Sequence, residues 1–189
     1  MNVAYLGLKR LLDIAGSLAG LLVTAVLSVP IAIAIKHDSV GPVIFSQDRV
    51  GKDERIFRMH KYRTMYWNSP VNGAKPSPND KRVTTVGRFL RRTSMDELPQ
   101  FYDVLRGDMS LVGPRPEQVP FLAQYQAWQR VRFTVKPGLT GWWQVNGRKQ
   151  PMHDHIDEDI FYVKHQSPWL DAIILMRTLG AILRGDGAE

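Results

Sequence analysis

The chain contains no cysteine among its 189 residues. That excludes a disulfide framework and any thiolate-held metal. It has no P-loop, and no GxGxxG followed by an acid at the Rossmann distance, so a nucleotide has to be bound by another route. It has no internal repeat and no low-complexity tract. A chain of this length forms one domain with a real core and has room for an appendage. Charge is missing altogether from residues 14–35. Acids are scarce in residues 36–92, where five stand against thirteen lysines and arginines, whereas from Thr93 onward acids slightly outnumber bases.

The last two absences define what is present. A net charge of +7 and a pI near 9.8 call for an anionic partner: nucleic acid, anionic lipid or a phosphorylated substrate. The basic stretch directly follows the apolar one, an order that favours a membrane surface over nucleic acid. The apolar run has roughly the length of a membrane-crossing helix. It is too long for the h-region of a signal peptide, and no small-x-small cleavage site follows it. A buried soluble helix is the alternative, although a domain of this size rarely buries so long an unbroken run. Pro30 removes a backbone donor and crowds the preceding turn, and Ser28 can bond a carbonyl one turn back, so a bend is expected there. Lys9 and Arg10 precede the run and Lys36 follows it. Positive charge on both flanks suits a helix that enters the bilayer, bends and leaves by the same face; the alternative is a kinked span with the stronger C-terminal charge held inside. The expected division is a re-entrant membrane helix at 1–36 and a cytoplasmic, membrane-associated domain at 37–189.

The expected fold class is α+β and mostly helical, with a small β element and amphipathic interface helices. Strands are expected at 42–46 and 55–63, the second carrying Lys61 and Arg63. Residues 68–80, with Pro70, Gly73, Pro76 and Pro78, read as a loop. Helices are expected at 83–91, 96–106, 117–132, 153–165 and from Pro168 onward. For the helix at 96–106, Ser94 and Glu97 have capping-box spacing, but that register costs Pro99 a helical hydrogen bond. Asp96 as cap keeps Pro99 in the donor-free first turn, and Gly107 is a natural stop. In the last helix Trp169, Leu170, Ile173, Ile174, Met176, Leu179, Ile182 and Leu183 spread around much of the circumference. That breadth suits protein on one side and lipid headgroups on the other, and equally a plain core helix.

Three segments carry candidate chemistry. Asp96 and Glu97 lie at a helix start among Arg91, Arg92 and the basic stretch, which suits an ionised carboxylate meeting a phosphate and a metal; a capped surface helix also has acids there. Arg115 stands between Pro114 and Pro116, so its planar fork is held in one direction, as bidentate phosphate binding requires. Lys61, Arg63 and Arg91 join it as candidate phosphate-binding cations. The stretch 138–148 combines glycines, tryptophans, amides and an arginine. Gly141, Trp142, Gln144, Asn146 and Arg148 are its candidate nucleotide-binding residues, since Trp can stack on a base and amides read its edge. The same stretch also reads as a glycine-rich turn with core tryptophans. His153, Asp154, His155, Asp157, Glu158 and Asp159 lack metal-site spacing and read more simply as a polar helix face.

Taken together, the motifs resemble the bacterial sugar transferases that are monotopic polyprenyl-phosphate phosphoglycosyl transferases. The likeness runs through Lys9-Arg10 with Asp13, Ser39-Val40-Gly41-Pro42 with Phe45, Gln47, Arg49, Val50 and Gly51, and Lys61-Tyr62-Arg63-Thr64-Met65. It continues through Asp96-Glu97-Leu98-Pro99-Gln100, Gly107-Asp108-Met109-Ser110 and Val112-Gly113-Pro114-Arg115-Pro116. It ends with Lys136-Pro137-Gly138-Leu139-Thr140-Gly141-Trp142, Asn146-Gly147-Arg148, and Asp159 with Tyr162-Val163. The resemblance implies transfer of a sugar phosphate from a UDP-sugar to undecaprenyl phosphate, with release of UMP. The setting it implies is the cytoplasmic face of the bacterial inner membrane, at the start of glycoconjugate assembly. It implies Mg²⁺ as cofactor, Asp96 as nucleophile forming a covalent phosphosugar intermediate, and Glu97 as metal ligand. Asp159 becomes a further site candidate. The length matches the family's minimal core. One departure stands out: the family's Ser-Pro pair at the membrane bend is here Ser28-Val29-Pro30, with Pro30 about one turn late.

The expected partners are a UDP-sugar, undecaprenyl phosphate and an anionic bilayer, with no nucleic acid; a homodimer is left open. Two other functions stay in view. A non-enzymatic, membrane-bound basic adaptor accounts for the charge and the apolar run but not for Asp96-Glu97 among arginines. A lipid-phosphate hydrolase would use the same carboxylates without a nucleotide sugar. No residue decides which sugar is carried.

Overall fold

The computed structural model describes residues 3–69, 80–146 and 155–184. It opens with α1 (Val3–Asp38), a helix of 36 residues that runs unbroken through Ser28 and Pro30. At 1.5 Å per residue it is about 54 Å long. The Ser28 hydroxyl donates to the Ala25 carbonyl at 2.9 Å, the back-bond expected of it. Among the described residues this is the one helix long and apolar enough to cross a membrane, with a mean hydropathy of 2.5 over an 18-residue window.

One side of α1 lies against the rest of the chain from end to end. Near its start Tyr5 and Lys9 both donate to Asp171. Arg10 donates to the carbonyls of Val104 and Leu105. Asp13 accepts from the Ser110 hydroxyl and the Leu111 amide. In the middle, Gly20 lets the helix approach so closely that an added Cβ would fall 2.5 Å from the Phe101 ring. Ile31 and Ile35 pack with Tyr62 and Leu90, and Asp38 accepts from the Val86 amide at 2.8 Å. The other side, with Leu11, Leu22, Val26, Val29 and Ile33, is exposed. Burying such apolar groups in lipid or protein is favourable by about 1.5–3 kcal/mol each.

The chain then forms the hairpin β1 (Ile44–Val50) and β2 (Ile56–Tyr62), followed by α2 (Thr85–Arg92), α3 (Gln100–Arg106), β3 (Ser110–Val112) and β4 (Glu117–Gln118). It ends with β5 (Gly138–Thr140), α4 (Trp142–Asn146), α5 (Ile156–His165) and α6 (Pro168–Leu183). β2, β1 and β4 make an antiparallel sheet with β1 in the centre, and β3 pairs with β5 in parallel. The hairpin register places Phe45 opposite Lys61, Gln47 opposite Met59 and Arg49 opposite Phe57. Because side chains alternate along a strand, these six share one face. The fold is thus α+β and mostly helical, as expected.

Three expected elements differ in detail. Residues 117–132 do not form a helix. They give β4 and two 3₁₀ segments, Val119–Gln124 and Gln129–Thr134. Pro120 interrupts the amide ladder, Tyr125 is extended (φ −76°, ψ 126°), and Glu117, Tyr125 and Arg132 turn inward together. The helix expected at 96–106 is split by Pro99, which becomes the N-cap of α3. Ser94 caps nothing with its side chain, and Gly107 stops α3 in the left-handed region (φ 93°). α5 begins at Ile156, and the start expected for it at His153 lies outside the described residues, as does most of the loop at 68–80.

Candidate active site

α2 is anchored before it reaches the site. Thr84 caps it by accepting from the Gly87 amide at 3.0 Å, and the Thr84 amide donates to the Thr64 carbonyl. Gly87 sits directly on that Thr64 backbone, where no side chain fits. The last turn of α2 therefore delivers Arg91 next to β2, with its Nε bonded to Thr64 Oγ1 at 2.9 Å. The chain then reverses. Ser94 takes a left-handed conformation (φ 56°), and the 3₁₀ turn Met95–Glu97 follows at once. Pro99 prevents this turn from joining α3 as one regular helix.

The turn presents Asp96 and Glu97 to the hairpin face that carries Lys61. Lys61 Nζ lies 2.7 Å from Glu97 Oε1 and 3.9 Å from Asp96 Oδ2. Arg115 Nη1 lies 3.8 Å from the same Glu97 oxygen. Asp96 is buried. Burial pushes its carboxyl above the usual range and Glu97 pushes the same way, while Lys61, Arg91 and Arg115 pull it back. The product is a poorly hydrated carboxylate whose charge is supported by three cations, an arrangement suited to attack on phosphorus.

Arg115 is held by its backbone. The Gly138 amide donates to the Pro114 carbonyl at 2.8 Å, and the Gly113 amide donates to Thr140. Arg132 Nη2 donates to the Arg115 carbonyl at 2.8 Å. Arg49 Nη1 donates to the Pro116 carbonyl at 3.1 Å. Behind this strap Arg132 is fully buried and bonded to Asp159 at 2.6 and 3.0 Å. It also reaches Tyr125 and Glu117.

The structure therefore brings together Asp96, Glu97, Lys61, Arg91 and Arg115. It does not bring Arg63 to them. Arg63 is buried and donates to Pro42, Ser39 and Met65, which fixes the turn after α1. Asp159 stands one layer behind, reaching Arg115 only through Arg132. The glycines of 138–141 also serve the strap: a Cβ on Gly141 would strike the Gly113 carbonyl. Trp142 leans on Phe161, with ring centroids 5.3 Å apart, and on the Arg177 guanidinium. Asn146 accepts from Arg177 at 2.6 Å. Gln144 is buried and donates to Leu139. Arg148 lies outside the described residues. Arg49 and Arg132 were not among the expected site residues. For Arg49 the signal was available, since strand alternation sets Phe45, Gln47 and Arg49 on the face of Lys61.

Among the described residues no group of three or more His, Asp or Glu side chains is placed to hold a metal. Two adjacent carboxylates nonetheless offer the donor set that Mg²⁺ takes. That ion prefers hard oxygen donors, keeps several waters and takes one or two carboxylates with substrate phosphates.

The chain belongs to the bacterial sugar transferase family, whose model matches residues 4–185. It is 43% identical over 193 residues to the UDP-N-acetylgalactosamine-undecaprenyl-phosphate N-acetylgalactosaminephosphotransferase of Aeromonas hydrophila, covering 98% of this chain and 46% of that protein. It is 40% identical over 200 residues to a galactosyl transferase of Streptococcus agalactiae, covering 98% and 44%. It is 43% identical over 183 residues to the UDP-glucose:undecaprenyl-phosphate glucose-1-phosphate transferase of Escherichia coli, covering 91% and 39%. The chain spans less than half the length of each of these relatives.

Proposed function

We propose that this chain transfers a sugar 1-phosphate from a UDP-sugar to undecaprenyl phosphate, and that Asp96 carries the phosphosugar between them. The observation that carries the proposal is the buried Asp96 carboxylate beside Glu97 and facing Lys61, Arg91 and Arg115. In the first step an Asp96 carboxylate oxygen attacks the phosphorus that bears the sugar. The bond from that phosphorus to the bridging oxygen breaks, and UMP leaves with that oxygen. In the second step an oxygen of undecaprenyl phosphate attacks the same phosphorus and the Asp96 carboxylate departs. Splitting the transfer lets a soluble and a lipid substrate use one site in turn. Arg115, Arg91 and Lys61 neutralise charge on the phosphoryl oxygens. Glu97, with Asp96 beside it, would hold Mg²⁺, which offsets charge on the diphosphate when bound.

The relatives' names support both substrates but differ in the sugar, and no described residue separates hexose from acetamido-sugar users. We assign α1 to the membrane, at the cytoplasmic face of the inner membrane. Both its ends, Tyr5 and Asp38, are bonded to the same body. That favours a helix held along one face of the membrane over a spanning one, with its exposed apolar side in a single leaflet.

The test is intact mass. Wild-type protein given Mg²⁺ and a UDP-sugar, without lipid acceptor, gains one phosphosugar on Asp96 and releases one equivalent of UMP. Asp96→Asn gains none. UMP release by the Asn variant at the wild-type rate overturns the proposal. Chelator-insensitive release removes the metal from it.

A further inference from the structure

Arg49 shares the hairpin face of Lys61, with Phe57 and Gln118 as its cross-strand neighbours. Its Nη1 donates to the Pro116 carbonyl at 3.1 Å and its Nη2 to Gln47 Oε1 at 2.8 Å. Gln47 is steadied in turn by Gln118, at 3.4 Å. From the other side Arg132 Nη2 donates to the Arg115 carbonyl. Two guanidiniums thus grip successive carbonyls, and the peptide that carries Arg115 is fixed between them.

We propose that Arg49 is a positioning residue for Arg115 and places a second positive charge behind it, so that the two arginines together form an anion subsite for the substrate diphosphate facing Glu97. This rests on the transferase function proposed above and extends it to a residue outside the Asp-Glu turn and the Pro-Arg-Pro strap. A strut alone needs no charge, since an amide could donate to Pro116 equally well. Here burial and the nearby Arg115 push the Arg49 guanidinium down to about 10, and Glu117 and Glu97 restore only part. Like charges brought together in a low-dielectric site repel unless an anion offsets them. The Arg49 Nε–H is also buried without a hydrogen-bond partner, so the contacts of the guanidinium do not fully offset its charge.

The experiment measures binding of inorganic pyrophosphate with Mg²⁺ to the whole chain in nanodiscs, by calorimetry, alongside KM and kcat for the UDP-sugar. Arg49→Gln is expected to weaken pyrophosphate about tenfold or more, in the range of a lost charge-assisted contact. It should raise KM more than it lowers kcat. Arg49→Lys should recover part of the binding, because the charge survives. Arg49→Gln combined with Arg115→Gln should lose less than the product of the single losses, because Arg49 acts through Arg115. Wild-type pyrophosphate affinity and KM in Arg49→Gln, with only a lower Tm, would reduce Arg49 to a strut and overturn the inference. Equal binding by the Lys and Gln variants would remove the second charge from it. Pyrophosphate binding needs no turnover. If it depends on Arg49 while no UDP-sugar yields UMP, the transferase proposal fails and the anion subsite stands.

Discussion

Two clusters of buried charge lie on either side of the Pro114-Arg115-Pro116 strap, and they are built to opposite plans. The Asp96-Glu97 cluster has more cations than acids: Lys61, Arg91 and Arg115 face two carboxylates. Its cations are partly open, the Arg115 side chain being 30% exposed. The cluster around Arg132 has more acids than cations, with Asp159 and Glu117 sharing one guanidinium that is 0% exposed. Its atoms are paired with one another, and Tyr125 closes it with a bond to Glu117. The open cluster keeps cationic surface within reach of solvent through Arg115. The sealed one can only hold its neighbours in place. Buried charge by itself therefore does not separate the two clusters; the proposed chemistry falls on the one with excess positive charge and an open side.

The largest expected effect separates the two by activity. Asp96→Asn should lower turnover by about 10³-fold or more, the scale of losing a covalent step, and should leave the protein folded. The linkage even favours the variant. Asp96 binds its proton more tightly folded than unfolded, because burial raises its pKa. Its contribution to stability is present below the ordinary carboxylate pKa and is lost as pH rises through the raised value. At neutral pH the Asn variant should be at least as resistant to urea as wild type; a clear loss of stability would show Asp96 to be structural.

Next, Arg132→Met should break the sealed cluster. It leaves Asp159 and Glu117 buried without their cation, at a cost of about 3–5 kcal/mol. The urea midpoint should fall sharply, while turnover per folded molecule falls far less than in Asp96→Asn. If Arg132→Met instead left stability unchanged and abolished phosphosugar adduct formation, the contrast between the clusters would collapse.

The sequence carried the open cluster better than the sealed one. Asp96, Glu97 and Arg115 announce themselves by unusual neighbours: paired acids after arginines, and an arginine between prolines. Arg132 sits among Gln129, Arg130 and Val131 with nothing local to mark it, and its acids lie fifteen and twenty-seven residues away on either side. Only tertiary structure pairs them, and the same pairing overrides the helix expected at 117–132. Arg63 fails in the opposite sense. It follows Lys61 by two, which on a regular strand would place both on one face, but β2 ends at Tyr62 and Arg63 turns to cap the chain after α1. α1 was legible as apolar and basic-flanked. Its long docked side was not, because Gly16, Gly20 and Asp13 matter only once Leu111, Phe101 and Ser110 are in place.

A smaller effect probes the electrostatics of the open cluster. Lys61 is the foremost group opposing the upward push on Asp96. Lys61→Met should raise the Asp96 pKa further. Attack requires the ionised carboxylate, so the acidic limb of the pH profile for adduct formation should move to higher pH. Adduct formed by wild type and variant, followed by mass against pH, reads this directly. An unmoved limb would mean that Asp96 is not the group titrating.

The smallest effect concerns the backbone next to Asp96. Ser94 holds φ at 56°, a region that costs a non-glycine residue about 1–2 kcal/mol. Its hydroxyl is buried without a partner, so nothing in its side chain repays that cost. Glycine adopts the same conformation freely. Ser94→Gly should therefore stabilise by up to about 1 kcal/mol, less whatever glycine adds to the entropy of the unfolded chain. For a chain of this size that is about 2–4 °C in Tm. The sealed cluster offers no such gain, since neither Arg132 nor Asp159 is among the non-glycine residues with positive φ. Strain stored beside a reacting group often serves to hold it. If it does so here, the more stable glycine variant should form the Asp96 adduct severalfold more slowly, because the 3₁₀ turn can relax. Thermal unfolding and adduct rate, measured on the same preparation, decide the matter. A gain in Tm with an unchanged rate would show that the left-handed Ser94 is a cost of the chain reversal alone, and that Lys61, Arg91 and Pro99 suffice to place the carboxylate.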